Sequence, residues 1–148
     1  MIAARLQSGP FDPAAEQAAL LAGRTDLGAA VQFTGLVRAD DGLAALTLEH
    51  YPGMTLAQMQ AIAAEAAKRW PGVLGSIIHR HGRLLPGEPI VLVTTASPHR
   101  GDAFAAAQFL MDWLKTKAPF WKKEEWANGT TRWVEAKASD DAAADRWA

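Results

Sequence analysis

The chain has 148 residues, with 15 Lys and Arg against 16 Asp and Glu, four His and no Cys. That length suits a single domain over residues 1–148 with a core of its own, and a net charge of −1 excludes the broad basic field of sequence-blind nucleic-acid binding. Without cysteine there is no disulfide, thiolate metal site or cysteine nucleophile, so any sulfur chemistry must use sulfur brought from outside.

The first seven residues are too short a run for a signal peptide, and no apolar stretch reaches the roughly 18 residues of a membrane span. The expectation is a soluble, cytoplasmic protein. Residues 2–7 read as a strand. Asp12 before Pro13 is an N-cap followed by proline at the first helical position, which opens a helix to about Leu21. Gly28–Val37 reads as a mostly buried strand in which Gly35 marks a bulge or a close backbone approach, and residues 38–42 form its exit loop. Leu46, Leu48 and His50 alternate with Thr47, Glu49 and Tyr51, so 44–51 is a strand, expected to form a hairpin with 28–37. Pro52-Gly53 ends it.

From Thr55 the spacing of Leu56, Met59, Ile62, Ala63 and Ala66 predicts an amphipathic helix closed at Trp70-Pro71. Val73–Arg80 and Pro89–Ala96 are two strands joined by a turn at 82–87. Ser97-Pro98 opens a third helix with Phe104, Ala107, Leu110, Met111 and Leu114 on one face, which must stop before Pro119. Residues 120–126 and 131–135 flank Asn128-Gly129, a strong hairpin signal. Strands and helices mix without strict alternation, so the fold class is α+β with a mainly antiparallel sheet.

Four groups of residues are candidates for chemistry. His99 and Arg100 stand where free helix N–H groups favour an anion, although a plain N-cap explains the same pattern. Lys115 and Lys117 in a helix's last turn are accounted for by the helix dipole alone, whereas Lys122 and Glu124 share one strand face, where a lysine near other cations is poised for acid, base or nucleophile work. Arg38 leaves a buried strand on a loop, a usual place for a ligand group. His79 and His81 share a strand face, but a metal is not expected, since no third ligand is indicated. Five of the six tryptophans lie at or beyond Trp113 among Lys and Arg. A stacking groove for single-stranded nucleic acid fits this less well than a core plus a protein interface, because Glu124, Glu125, Glu135, Asp140 and Asp141 cancel the charge.

On one straight helix, His99 and Lys115 are about 24 Å apart at about 1.5 Å per residue. They form either two sites or one site shared across a two-fold dimer, and the dimer is the preferred reading.

Phe33-Thr34-Gly35-Leu36-Val37-Arg38, Leu46-Thr47-Leu48-Glu49-His50-Tyr51-Pro52-Gly53-Met54, and the run from His99-Arg100 through Asp112-Trp113-Leu114-Lys115-Thr116-Lys117-Ala118-Pro119-Phe120-Trp121-Lys122-Lys123-Glu124 resemble the large, catalytic subunit of molybdopterin synthase, from about residue 5 to Trp147. The resemblance implies a hammerhead-like α+β fold and a central homodimer with a small ubiquitin-like sulfur-carrier subunit at each end, together a heterotetramer. The implied sulfurtransferase reaction moves two sulfurs from the carrier's C-terminal glycine thiocarboxylate to cyclic pyranopterin monophosphate, with no cofactor and no metal. Carried over by position, Lys115 and Lys122 match the family's essential lysines. Val37, Arg38, His99, Arg100, Lys123, Glu124 and Arg132 fall to substrate binding, with Arg132 reaching across the dimer and Phe120-Trp121 walling the channel for the carrier's tail. Leu36 departs from the pattern, since many relatives carry Lys there. A non-catalytic dimeric module for a small phosphorylated ligand is the alternative, and a single-stranded RNA binder a distant third; neither a membrane nor a nucleic acid is an expected partner.

Overall fold

A computed structural model describes residues 1–40, 42–134 and 138–148. The elements run β1 (Ile2–Gln7), α1 (Pro13–Leu21), β2 (Ala29–Leu36), β3 (Leu43–His50), α2 (Met54–Arg69), β4 (Leu74–Arg80), β5 (Gly82–Leu84), β6 (Pro89–Ser97), α3 (Arg100–Lys117), β7 (Phe120–Trp126), β8 (Thr131–Trp133) and α4 (Ala138–Asp145). The expected residues 134–135 add nothing to β8: Val134 lies beyond the strand, and Glu135 falls outside the described residues, as does Asp41 of the exit loop.

Among the described residues the strands form two four-stranded sheets, β1-β4-β6-β2 and β5-β3-β7-β8, in which only the β1–β4 pair is parallel. The α+β, antiparallel-dominated expectation holds. The expected hairpin between 28–37 and 44–51 does not form. β2 pairs with β6 in the first sheet, whereas β3 pairs with β5 and β7 in the second, so the 38–42 loop carries the chain from one sheet to the other. Residues 82–84, expected as part of a turn, are themselves a strand against β3.

Local signals set most boundaries. The Asp12 carboxylate accepts from the amides of Ala14 and Ala15 at the start of α1. α2 begins after Gly53, whose φ of 78° suits glycine, and ends at Trp70, before Pro71. At the Gly35/Leu36 step the β2–β6 register shifts, and a Cβ on Gly35 would lie 2.6 Å from Val91 Cγ1. Bulge and close approach are therefore both present. The Asn128-Gly129 hairpin also forms, with the Trp126 amide donating to the Thr130 carbonyl at 2.8 Å.

α2 and α3 supply the larger core, in which Met59, Ile62, Ala66, Phe109 and Leu110 meet Ile77, Val91 and Val93 of the first sheet. The buried stripe of α3 is Ala103, Ala106, Ala107, Phe109, Leu110, Asp112 and Leu114. Phe104, expected in that stripe, is 62% exposed, because the helix lays its small alanines on the sheet and turns this ring outward. In α2 the buried position at the start is Thr55, with Leu56 only partly covered. Four aromatic residues, Trp70, Phe109, Trp113 and Trp147, pack around one another with ring centroids 4.5–5.8 Å apart. Trp147 is held there by its indole N–H, which donates to Asp112 at 2.7 Å.

Candidate active site

β2, β4 and β6 bring one end of the first sheet into a row, since Gly35 and His79 both oppose Val91. Arg38 follows β2 at this end. Val37, just before it, is buried, and its backbone is fully used: the amide donates to Glu88 at 3.0 Å and the carbonyl accepts from Gly87 at 2.7 Å. Val37 thus anchors the loop that projects Arg38. The Arg38 guanidinium is exposed and pairs with Asp40 at 2.7 Å.

At the same end α3 finishes and β7 begins, and a ring pair bridges the two sheets. His79 of β4 stacks on Phe120 of β7, with centroids 4.0 Å apart and planes 22° apart. Lys115, exposed near the end of α3, and Lys122, half-buried on β7, are both close enough for their charges to press on the His79 ring. Burial above all, reinforced by these two ammonium groups, pushes the His79 pKa down to about 4. The imidazole is neutral at pH 7. Lys115 and Lys122, which lie seven residues apart across the Pro119 corner, therefore share one environment.

Lys122 opposes Leu48 in the β3–β7 ladder, and Lys123 opposes Thr47. Glu124, two residues beyond Lys122, opposes Arg132 of β8 and binds it at 2.8 Å. The Arg132 guanidinium also lies 5.7 Å from the Trp126 ring centroid. Outside the lysine region, Trp121 and Trp133 are each 51% exposed and meet edge to face.

His99 and Arg100 lie at the opposite end of the first sheet, where Ser97 opposes Ala29. His99 is the N-cap of α3 and makes no side-chain cap bond, while the Ser97 hydroxyl accepts from the His99 amide at 3.3 Å. The opening N–H groups of α3 thus lack a side-chain cap, and an imidazole and a guanidinium, both exposed, flank them. α3 is one unbroken helix, so this end stays about 24 Å from Lys115. The structure therefore gathers Arg38, Lys115 and Lys122 toward one end and leaves His99 and Arg100 at the other.

His79 and His81 do not act as a pair. The His79 Nδ1 is 2.8 Å from the Arg80 carbonyl, whereas His81 packs against His50 with centroids 4.3 Å apart. Burial first, then His50, lowers the His81 pKa. Among the described residues no group of three or more His, Cys, Asp or Glu is arranged to hold a metal, and no helix is long and apolar enough to cross a membrane. Sequence reading missed two residues that organise the site. His79 was visible only as a strand histidine. Thr55, fully buried, accepts from the Tyr51 amide at 2.9 Å and donates to the Pro119 carbonyl at 2.6 Å, tying the start of α2 to the start of β7.

Known proteins share this sequence and this fold. The family model described as "MoaE protein" matches residues 6–117. A molybdopterin synthase catalytic subunit from Mesorhizobium japonicum is 58% identical over 97% of this chain and 91% of its own length. The solved molybdopterin biosynthesis MoaE protein from Burkholderia ambifaria superposes with a TM-score of 0.85 at 54% identity, covering 99% of this chain and 98% of that one. Molybdopterin synthase from Staphylococcus aureus superposes at 0.79 with 32% identity, covering 88% and 95%. By the family match, the sequence identity and the superposition, the chain belongs to the MoaE family, the catalytic subunits of molybdopterin synthase.

Proposed function

We propose that this chain, acting as one domain over residues 1–148 in the cytoplasm, transfers two sulfurs from the C-terminal thiocarboxylate of a small ubiquitin-like carrier subunit to cyclic pyranopterin monophosphate, forming the molybdopterin dithiolene. The observation that carries this reading is the convergence of Lys115 and Lys122 on one ring at the junction of the two sheets. Two ammonium groups there are suited to orient a thiocarboxylate and to stabilise the oxyanion that forms at its carbonyl as sulfur leaves. Lys123, Glu124 and Arg132 continue the same β7–β8 wall, and Phe120-Trp121 borders the path of the carrier's extended tail.

Arg38, held out by Val37, together with His99 and Arg100, binds the substrate's phosphate and pterin. Because His99 and Arg100 stand at the far end of α3, the complete site draws them from a second copy in a homodimer, and Arg132 reaches across the same interface. Support for that pairing comes from a groove of about 280 Å³ between β2 and α3, bordered by the exposed rings of Phe33 and Phe104. Two carriers on this dimer make a heterotetramer.

The test is product formation from cyclic pyranopterin monophosphate and thiocarboxylated carrier, comparing wild type with Lys115→Ala. Product with wild type and none with the variant, carrier binding being equal, is expected. Equal activity of the two defeats the lysine role, and no product from either defeats the reaction. For the shared site, mixing His99→Ala with Lys115→Ala protein restores activity through hybrid dimers. Proven subunit exchange without restoration defeats the sharing.

A further inference from the structure

We propose that His79 is a positioning residue for the lysine pair: its Nδ1–H is committed to the Arg80 carbonyl, and its Nε2 offers a hydrogen-bond acceptor to an ammonium group beside it. The inference rests on the reading of Lys115 and Lys122 given above.

The geometry comes first. A carbonyl oxygen only accepts, so the 2.8 Å contact between Nδ1 and the Arg80 carbonyl places the ring proton on Nδ1. Nε2 of the neutral ring is then a bare acceptor. The stack on Phe120 fixes the ring plane, and the strands to either side contribute Leu6 and Val91, which offer no competing side-chain donor. The charged and titratable groups around the ring are few. The Arg80 guanidinium is engaged elsewhere, by the carbonyls of Ser8 and Pro89 and by Glu88. His81 is packed against His50. Lys122 of β7 and Lys115 of α3 are the leading charges that act on the ring, with a smaller contribution from His81.

The low pKa of His79 supports the role, because a ring that stays neutral from pH 5 upward adds no third positive charge where two ammonium groups already repel. A neutral acceptor there orients an ammonium without neutralising it. Carboxylate at this position would draw the lysine into an ion pair and away from the substrate, and an apolar ring would leave it unguided. His79 therefore keeps the lysine aimed and available.

Side-chain geometry separates this role from simple packing. In His79→Gln the amide oxygen reaches the place of Nε2, whereas in His79→Asn the amide reaches only the place of Nδ1 and keeps only the bond to Arg80. The experiment measures kcat and KM for cyclic pyranopterin monophosphate with thiocarboxylated carrier, together with melting temperature, for wild type, His79→Gln and His79→Asn. His79→Gln is expected to keep kcat. Relative to His79→Gln, His79→Asn is expected to lose about ten- to a hundredfold in kcat at similar KM and melting temperature, the rate equivalent of one hydrogen bond to an ion. Equal kcat for the two variants, whether both high or both low, overturns the proposal. In parallel, nitrogen-15 NMR of the wild-type imidazole at pH 7 is expected to show the Nδ1–H tautomer, and an Nε2–H tautomer or a protonated ring overturns the proposal even if neither variant folds. This readout needs no turnover, so absence of product from wild type removes the sulfur-transfer reading while the tautomer still decides the role of His79.

Discussion

The two sheets are built to different standards. In the first, β6 is buried from Val91 to Ser97, and the hydroxyls of its interior threonines are satisfied, Thr94 by Gln32 and Thr95 by the Ala103 carbonyl. α2 and α3 lay a continuous apolar stripe on this sheet. The second sheet closes on a small cluster of Val37, Leu48 and Leu84, and its last strand, β8, is exposed throughout. Burial of apolar area sets stability, so the first sheet and its helices are the frame. The second sheet holds up a charged strand, and it needs only enough core to keep that strand in register with β3.

Four experiments would break or sharpen this contrast. The largest effect is expected on activity in the lightly packed half: Lys122→Ala should lower sulfur transfer by about 10²- to 10⁴-fold while moving stability by about 1 kcal/mol or less. A fall in melting temperature that accounts for the lost activity would erase the distinction. In the frame, Phe109→Ala removes the fully buried ring that Trp70, Trp113 and Trp147 surround, and urea unfolding should register a loss of about 3–5 kcal/mol. A cost under about 1 kcal/mol would show that the aromatic cluster bears little of the stability.

The junction between the sheets should report through pH. Folded His79 has a pKa of about 4, against about 6.5 when unfolded. The unfolded chain therefore binds the extra proton first. The contribution is complete above about pH 6.5, declines as pH falls toward 4, and is level below that, for a total of up to about 3 kcal/mol. Denaturant midpoints across this window should be flatter in His79→Phe, and an unchanged slope would place the titration elsewhere. The smallest effect belongs to the rim: Arg132→Ala breaks an exposed pair with Glu124 and should cost less than about 1 kcal/mol by thermal melting. A larger loss would mean that β8 is part of the frame.

Local chemistry made many elements readable in advance. Asp12-Pro13 marks a helix start, Trp70-Pro71 and Pro119 mark helix ends, and the alternation from Leu46 to Tyr51 marks a strand, because each depends on residues within a turn or two. Partnership was not readable. β2 and β3 are neighbours in the chain, yet a strand's pattern says which face is buried and not which strand lies beside it, and here the 38–42 loop crosses between sheets. β5 is too short for alternation to show. Phe104 misled because helical spacing finds an apolar stripe without saying that alanines will be preferred where a helix approaches a sheet closely. For the site, the anion-binding look of His99 and Arg100 was present in their position ahead of a helix. The sequence shows Lys115 and Lys122 flanking Pro119, but that both charges reach the His79 ring depends on the tertiary His79–Phe120 stack, and the family resemblance singled out these two lysines.

Thr55 gives the lightly packed sheet a built-in gauge. Its hydroxyl accepts from the Tyr51 amide and donates to the Pro119 carbonyl, so detaching the start of β7 leaves that amide with a weakened acceptor. The rate at which the Tyr51 amide exchanges with deuterium should track how often the lysine-bearing strand lifts from its support. That readout is a backbone amide and needs no turnover, which allows breathing of the strand to be followed with carrier or substrate in place.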